Sequence, residues 1–221
     1  KATARVLAKT GTFTCQSLNL PVYINKRVRP MPQGVELTEA ELSGVVERAE
    51  CLHDAAAVAA GIERLAAEIT QALSTTRPLV LGVMTGAIVP LGRLLPYLQF
   101  PLELDYIHAT RYHKSTIGRE LVWLARPQTS LRGRTVLLVD DILDEGHTFK
   151  GLLDACREEG AEAVYTAVLA DKPNPRREPG MLADFVGVTV PERYVFGAGM
   201  DYKGYLRNLD GIYAAHQDDE D

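Results

Sequence analysis

Long apolar runs are missing from this chain. The longest, Thr135 to Val139 and Ala163 to Ala170, fall far short of the ~20 residues that a membrane-crossing helix requires, so no transmembrane segment is expected. Cysteine is scarce: Cys15, Cys51 and Cys156 are odd in number, widely spaced and without a C-x-x-C pair. That pattern argues against a disulfide framework or a structural zinc site and for reduced thiols, with Cys156 a small core residue. Positive charge is not in excess either. Lys plus Arg number 24 against 29 Asp plus Glu, a net charge of −5, which is the reverse of the basic footprint of a dedicated nucleic-acid binder. Lys9 to Asn19 is polar, unlike the core of a signal peptide, so the expected location is cytoplasmic.

What is present is the composition of an ordinary globular protein: 221 residues, 46% of them hydrophobic and 24% charged. A chain of this length forms one large domain and buries roughly 70% of its unfolded surface without a covalent staple. Residues 1–34 lack periodicity and carry Pro21, Pro30, Pro32 and the basic stretch Lys26 to Arg29, which suggests an N-terminal extension or arm. The domain proper is expected over residues 35–216. Residues 217–221 form an acidic tail, expected to be solvated.

Thr38-Glu39-Ala40-Glu41 has the capping-box pattern, a hydroxyl followed three residues later by a glutamate, ahead of Leu42, Val45 and Val46. Asp54 to Leu73 places Val58, Ile62, Leu65, Ile69 and Leu73 three or four residues apart, the spacing of a helix with one buried face. Short apolar runs then alternate with helical stretches. Strands are expected at Leu79 to Met84, Leu102 to Ala109, Leu121 to Leu124, Thr135 to Val139 and Ala163 to Ala170, and helices at Ile88 to Leu98 and Thr148 to Glu159. Continuous Val/Leu strands joined by helices predict an α/β fold, a mainly parallel twisted sheet with helices on both faces. Ligands in such sheets bind beyond the carboxyl ends of the strands.

One such end stands out. Arg134 to Gly151 reads RTVLLVDDILDEGHTFKG: an apolar strand, the adjacent acids Asp140 and Asp141, a third acid Asp144, then Glu145-Gly146-His147-Thr148 and a helix. Three clustered carboxylates repel one another, a costly arrangement unless a cation or a hydroxyl-rich ligand meets them. Glu145 to Thr148 falls at a helix N-terminus, where backbone N–H groups and the helix dipole favour an anion. Gly146 permits close backbone approach. One loop thus offers acids for ribose hydroxyls and amides for a phosphate, and it matches neither the P-loop nor the dinucleotide-binding glycine pattern.

The stretch VLLVDDILDEGHTF resembles the phosphoribosyl pyrophosphate (PRPP) motif of the type I phosphoribosyltransferases, in the form carried by their hypoxanthine-guanine members. The resemblance covers roughly residues 35–215 and implies that fold, with a small hood built from the chain ends. It implies that Asp140 and Asp141 hold the ribose hydroxyls, directly or through Mg²⁺. Asp144 would be the general base for purine N7, and Glu145, Gly146, His147 and Thr148 would cradle the 5′-phosphate. Thr85 and Gly86 match a pyrophosphate loop with a non-proline cis peptide, although many members carry Lys or Arg where this chain has Thr85. Lys172 matches the donor to a 6-oxo group, with Arg176 facing the same site. Tyr194 matches the aromatic that stacks on the purine and Val195 the backbone at its edge. Asp201 matches a Mg²⁺ ligand, and Arg207 a pyrophosphate contact. TRYHKSTIGRE, from Thr110 to Glu120, aligns with the mobile lid; Arg111-Tyr112 stands in place of the usual Ser-Tyr pair, with Lys114 and Arg119 beyond it.

The implied activity is purine salvage, transfer of the phosphoribosyl group from PRPP to hypoxanthine or guanine by a homodimer or homotetramer using Mg²⁺. The same residues allow a xanthine-preferring enzyme. A PRPP-sensing regulator that binds nucleic acid is disfavoured by the negative net charge, by the lack of a separate winged-helix domain and by the intact Asp144.

Overall fold

The protein is described here by a computed structural model over residues 36–111 and 121–220. The N-terminal segment 1–34 and the lid positions Tyr112, Lys114 and Arg119, with the Arg111 side chain, lie outside what is described.

Thr38 caps the first helix, α1 (Glu39–Arg48), as its pattern predicts: the Thr38 N–H donates to Glu41 Oε2 at 2.7 Å, and the Glu41 N–H donates to Thr38 Oγ1 at 3.3 Å. A short strand β1 (Glu50–His53) leads to α2 (Ala55–Leu73), whose N-cap Asp54 accepts from the Ala57 N–H at 2.8 Å. Then follow β2 (Leu79–Val83), α3 (Ile88–Leu94), β3 (Glu103–Arg111), β4 (Leu121–Ala125), β5 (Thr135–Leu143), α4 (His147–Glu158), β6 (Ala163–Asp171), β7 (Phe185–Thr189), β8 (Val195–Phe196) and β9 (Ile212–Ala214).

Six strands make the main sheet in the order β4-β3-β2-β5-β6-β7, parallel except for the antiparallel edge strand β4. Alternation of side chains divides each central strand between two cores. Val80, Leu137, Val139 and Leu169 face α2 and α3, where Val58, Ile62, Leu65, Ile69 and Leu73 form the buried stripe. Leu79, Leu81, Val136, Leu138 and Val168 face α4 and its Phe149, Leu152, Leu153 and Cys156. Helices on both faces explain why these strands are apolar throughout rather than alternating. Gly61 lets α2 lie close on β7; a Cβ there would stand 3.0 Å from Val188 and 3.2 Å from the Gly187 carbonyl.

A smaller antiparallel sheet, β1-β9-β8, joins both ends of the described chain into a hood, with Val45 of α1 packed on Phe196, Tyr202 and Ala215. The tail is not wholly solvated: Asp219 pairs with Arg48 at 2.7 Å, and its carbonyl accepts from the Tyr202 hydroxyl at 2.7 Å.

Most element boundaries shift from the sequence expectation, and three of the shifts have a clear local cause. The Ile88 to Leu98 helix is shorter, since α3 stops at Leu94 and gives way to a 3₁₀ turn, Leu95–Tyr97, containing Pro96. Proline lacks the N–H that an α-helical ladder needs. Helix α4 starts at His147 because Gly146, at φ +76°, is its N-cap. Strand β5 does not end at Val139. It runs on through both acids to Leu143, kept extended by β6 through Ile142↔Ala170 and Leu143↔Asp171, whereas its pairing with β2 stops at Gly82↔Val139.

That one-sided pairing opens the sheet where its strand order reverses, the usual ligand position in open α/β sheets. Because Leu138 is fully buried between sheet and α4, Leu138→Ala is expected to lower unfolding free energy by about 2–5 kcal/mol. Urea denaturation measures this directly, and a loss below about 1 kcal/mol would contradict the packing described.

Candidate active site

The opening between β2 and β5 forms a cleft of about 620 Å³. Asp140, Asp141, Asp144, Glu145, Gly146, His147, Thr148, Thr85, Gly86, Lys172, Tyr194, Val195, Asp201 and Arg207 all line it, together with Ala109 and Thr110 from the end of β3. Every sequence-predicted site position with a described side chain, Arg176 apart, is therefore brought to one place. Arg176 is the exception among the secondary candidates. It is exposed and outside the lining, held 2.8 Å from Glu145 and 3.7 Å from Glu192.

The acid pair sits where β5 has lost its β2 neighbour. The Met84–Thr85 peptide is cis, and the turn after it is anchored by the Met84 N–H on the Ile107 carbonyl at 2.8 Å and by the Ala87 N–H on the Val83 carbonyl at 3.0 Å. Gly86 follows, and a Cβ there would collide with the Asp141 carboxylate. From the hood side Gly199, at φ +117°, comes within 2.6 Å of the Gly86 carbonyl, measured from where its own Cβ would stand. Two glycines thus let two backbone segments close around one carboxylate.

Burial, with the Asp141 charge alongside, pushes the Asp140 carboxyl well above the ordinary aspartate range. Burial also raises Asp141, against which the Arg207 guanidinium works. Arg207 Nη1 stands 3.4 Å from Asp141 Oδ2 and donates to the Gly199 carbonyl at 2.7 Å, and its Nη2 lies 2.5 Å from Asp201 Oδ1. Asp201 Oδ2 accepts from the Gly204 N–H at 2.8 Å. One cationic group is therefore shared by two carboxylates across the mouth of the cleft.

On the other side Gly146 takes the left-handed conformation and packs against Met181, so the chain turns tightly into α4, whose first residues His147 and Thr148 line the cleft. His147 Nδ1 is 2.6 Å from Glu178 Oε2, and its Nε2 is 3.8 Å from Glu145.

Asp144 lies between the two halves. Its Oδ2 is 2.6 Å from Lys172 Nζ, and its Oδ1 accepts from the Asn174 side-chain amide. Lys172 also donates to the Arg193 carbonyl at 3.4 Å, next to the aromatic wall. The Tyr194 ring meets Tyr202 edge-on at 5.6 Å between centroids, and its hydroxyl accepts from the Lys203 N–H at 3.2 Å.

Asn174, Arg177 and Glu178 were not anticipated as site residues. The Arg177 guanidinium donates to the carbonyls of Leu143, Asp144 and Lys172 at 2.8, 3.0 and 2.8 Å and pairs with Asp171 at 2.7 Å. It ties the ends of β5 and β6 together. The only local signal was the Asn-Pro dipeptide, which marks a turn and says nothing of what the turn touches.

A chemical class follows from this layout: a cleft with an acid pair, a helix N-terminus and a carboxylate–lysine pair beside an aromatic wall suits transfer of a phosphorylated sugar. The chain belongs to the phosphoribosyl transferase domain family, whose model matches residues 49–203. It is 35% identical over 149 residues to a hypoxanthine-guanine phosphoribosyltransferase of Bacillus subtilis, covering 67% of this chain and 82% of that protein. Among solved structures it is similar to a hypoxanthine-guanine-xanthine phosphoribosyltransferase, at TM-score 0.69 and 30% identity over 76% of this chain and 97% of the other. A hypoxanthine phosphoribosyltransferase of Staphylococcus aureus shares the fold at TM-score 0.74 and 24% identity, over 83% of this chain and 98% of that one.

The raised carboxyls have a consequence for stability. An unfolded aspartate loses its proton near pH 4, whereas the folded Asp140 holds it to higher pH. Between those values the folded state binds more protons than the unfolded one, so stability falls as pH rises through the window. In metal-free buffer Asp140→Asn is expected to raise the melting temperature at neutral pH and to flatten its fall as pH rises above about 4. Thermal unfolding across that range is the check, and a variant less stable than the parent at neutral pH would contradict it.

Proposed function

We propose that the protein is a purine salvage phosphoribosyltransferase that transfers the 5-phosphoribosyl group from PRPP to hypoxanthine or guanine, giving IMP or GMP and pyrophosphate. The observation that carries the reading is the Asp144–Lys172 pair at 2.6 Å, set between the acid pair of β5 and the Tyr194 wall. That is where a base would meet an anomeric carbon held by its hydroxyls and 5′-phosphate.

In this reading the first turn of α4, from Gly146 to Thr148, takes the 5′-phosphate on its amides. Asp140 and Asp141 accept from the 2′ and 3′ hydroxyls. Thr85, Gly86 and Arg207 meet the pyrophosphate, with Thr85 contributing through its backbone rather than a side-chain charge. The purine lies against Tyr194, with its edge at the Val195 backbone and its 6-oxo group at Lys172. Purine N9 forms the bond to the anomeric carbon as the bond from that carbon to the pyrophosphate oxygen breaks, and the N7 proton passes to Asp144. Carboxylates beside the anomeric carbon stabilise the positive charge that develops there.

Mg²⁺ is implied by the family, and the donor set fits it. Asp141 and Asp201 are hard oxygen donors that already share one cation, the Arg207 guanidinium. No group of three or more acidic, histidine or cysteine side chains forms a metal cage among the described residues. That suits an ion held by one or two carboxylates and completed by substrate oxygens and water. When bound it would neutralise charge on the departing pyrophosphate, with one or two of Asp201, Asp140 and Asp141 as its protein ligands.

The proposal extends to residues 35–216 as the catalytic domain, to a lid including Arg111 and Tyr112, to assembly as a homodimer or homotetramer and to a cytoplasmic location. No helix of the described residues is long and apolar enough to cross a membrane.

Purified protein with Mg²⁺ and PRPP is expected to convert hypoxanthine and guanine faster than adenine, with xanthine ranked in the same series. PRPP binding without nucleotide formation from any of these bases would overturn the reading in favour of a sensor. Asp144→Asn keeps the shape and removes the base, so turnover is expected to fall about 10²- to 10⁴-fold with PRPP affinity retained. An unchanged kcat would remove Asp144 from the base role.

A further inference from the structure

Asp144 is gripped from two sides, and only one of the two grips can give way when a base arrives. We propose that Asn174 is a positioning residue that holds the Asp144 carboxylate in its working orientation while Lys172 leaves it for the substrate. This inference rests on the reading of Asp144 as the acceptor of the N7 proton.

The orientation of the Asn174 amide is determined by its neighbours. Its Oδ1 accepts from the backbone N–H of Arg176 at 2.8 Å, so the oxygen must face that donor. The NH₂ group is then left facing Asp144, where it donates to Oδ1. Asn174 is itself anchored, because its carbonyl accepts from the Arg177 N–H at 3.2 Å. The Arg177 guanidinium in turn holds the carbonyls of Leu143, Asp144 and Lys172. The backbone beneath both partners is rigidly tied, which leaves rotation of the carboxylate as the main remaining freedom of Asp144.

Lys172 cannot supply that restraint throughout the reaction. Its single ammonium serves Asp144 Oδ2 and the Arg193 carbonyl. In the proposed reaction it also serves the 6-oxo group of the purine. As Lys172 turns to the base, Oδ2 becomes available for the N7 proton. Without Asn174 the carboxylate would be free to swing after the departing cation.

A neutral donor suits the task. It orients Oδ1 without adding a second full positive charge, which would make the carboxylate a poorer base. The other charged groups around Asp144 are accounted for: Glu145 pairs with Arg176 and lies 3.8 Å from His147, and Arg177 reaches only the Asp144 main chain.

Two variants separate orientation from folding. Asn174→Asp keeps the side-chain shape and the oxygen that accepts from Arg176, and replaces only the donor by a carboxylate oxygen facing Asp144. Asn174→Ala removes both bonds. Both are expected to lower kcat about 10- to 100-fold while KM for PRPP stays within about twofold. In Asn174→Asp the acidic limb of the kcat profile is expected to move to higher pH, because an adjacent carboxylate makes a proton on Asp144 harder to release.

The proposal is overturned if both variants keep the parent kcat and pH profile while Asp144→Asn is inactive, a result that leaves the reading of Asp144 intact. It is also overturned if kcat, PRPP affinity and melting temperature fall together in Asn174→Asp, which would confine Asn174 to shaping its turn. Failure of the parent protein to form nucleotide in the same assay would instead defeat the functional reading, and this inference with it.

Discussion

Two adjacent aspartates are kept at the open end of a buried parallel strand, and much of the surrounding structure answers to that constraint. Asp140 and Asp141 lie where β5 is still paired with β6 but has lost β2. Neither sits there easily as an anion: burial raises both, and the neighbouring charge of Asp141 adds to the rise of Asp140, that of Asp201 to the rise of Asp141. The fold meets the problem with small residues and one cation. Gly86 and Gly199 allow backbone to approach from sheet and hood, and Arg207 arrives from the hood to share its charge between Asp141 and Asp201. Such an arrangement is costly to stability and suits a ligand that brings hydroxyls and a cation. Strain of this kind at a site, offset by packing elsewhere, is a common trade in proteins that bind charged ligands.

The net charge of −5 appears at first to count against an anionic substrate. Its distribution removes the conflict. The cleft has acids where hydroxyls and a proton would be met, and it has the first turn of α4, Lys172 and Arg207 where phosphate oxygens and a carbonyl would lie. Helix dipoles and positioned cations act over a few ångströms, whereas net charge acts over the Debye length, about 8 Å at physiological salt. Local geometry therefore outweighs the total.

The hood and the segment after β6 contribute support of a different kind. Tyr202 meets the Tyr194 ring edge-on while its hydroxyl reaches the Asp219 carbonyl, and Arg48 grips the Asp219 carboxylate. The aromatic wall is thus tied to both ends of the described chain. Across the cleft, Asn174 and Arg177 brace Asp144 and Lys172 through side-chain and main-chain oxygens. These supports are long-range in sequence, which is why no local pattern announced them.

The apolar runs and the three- and four-residue spacings of α2 and α4 determined the α/β class, because burial on two faces leaves strands apolar throughout and helices striped. The order of Asp140, Asp141, Asp144, Gly146 and Thr148 brought acids and a helix N-terminus into one loop, because an apolar strand precedes them and a striped helix follows. The tertiary structure decided the rest. Whether β5 continued past its acids depended on a partner 28 residues further along the chain, Asp140 pairing with Val168. Whether Arg176 faced the cleft depended on which acids its turn met. The pairing of Asp144 with Lys172 and Asn174, of Asp141 with Arg207 and of Asp219 with Arg48 joins residues far apart in the chain. Such contacts depend on where the strands and hood are carried by packing, which periodicity and motif spacing do not encode.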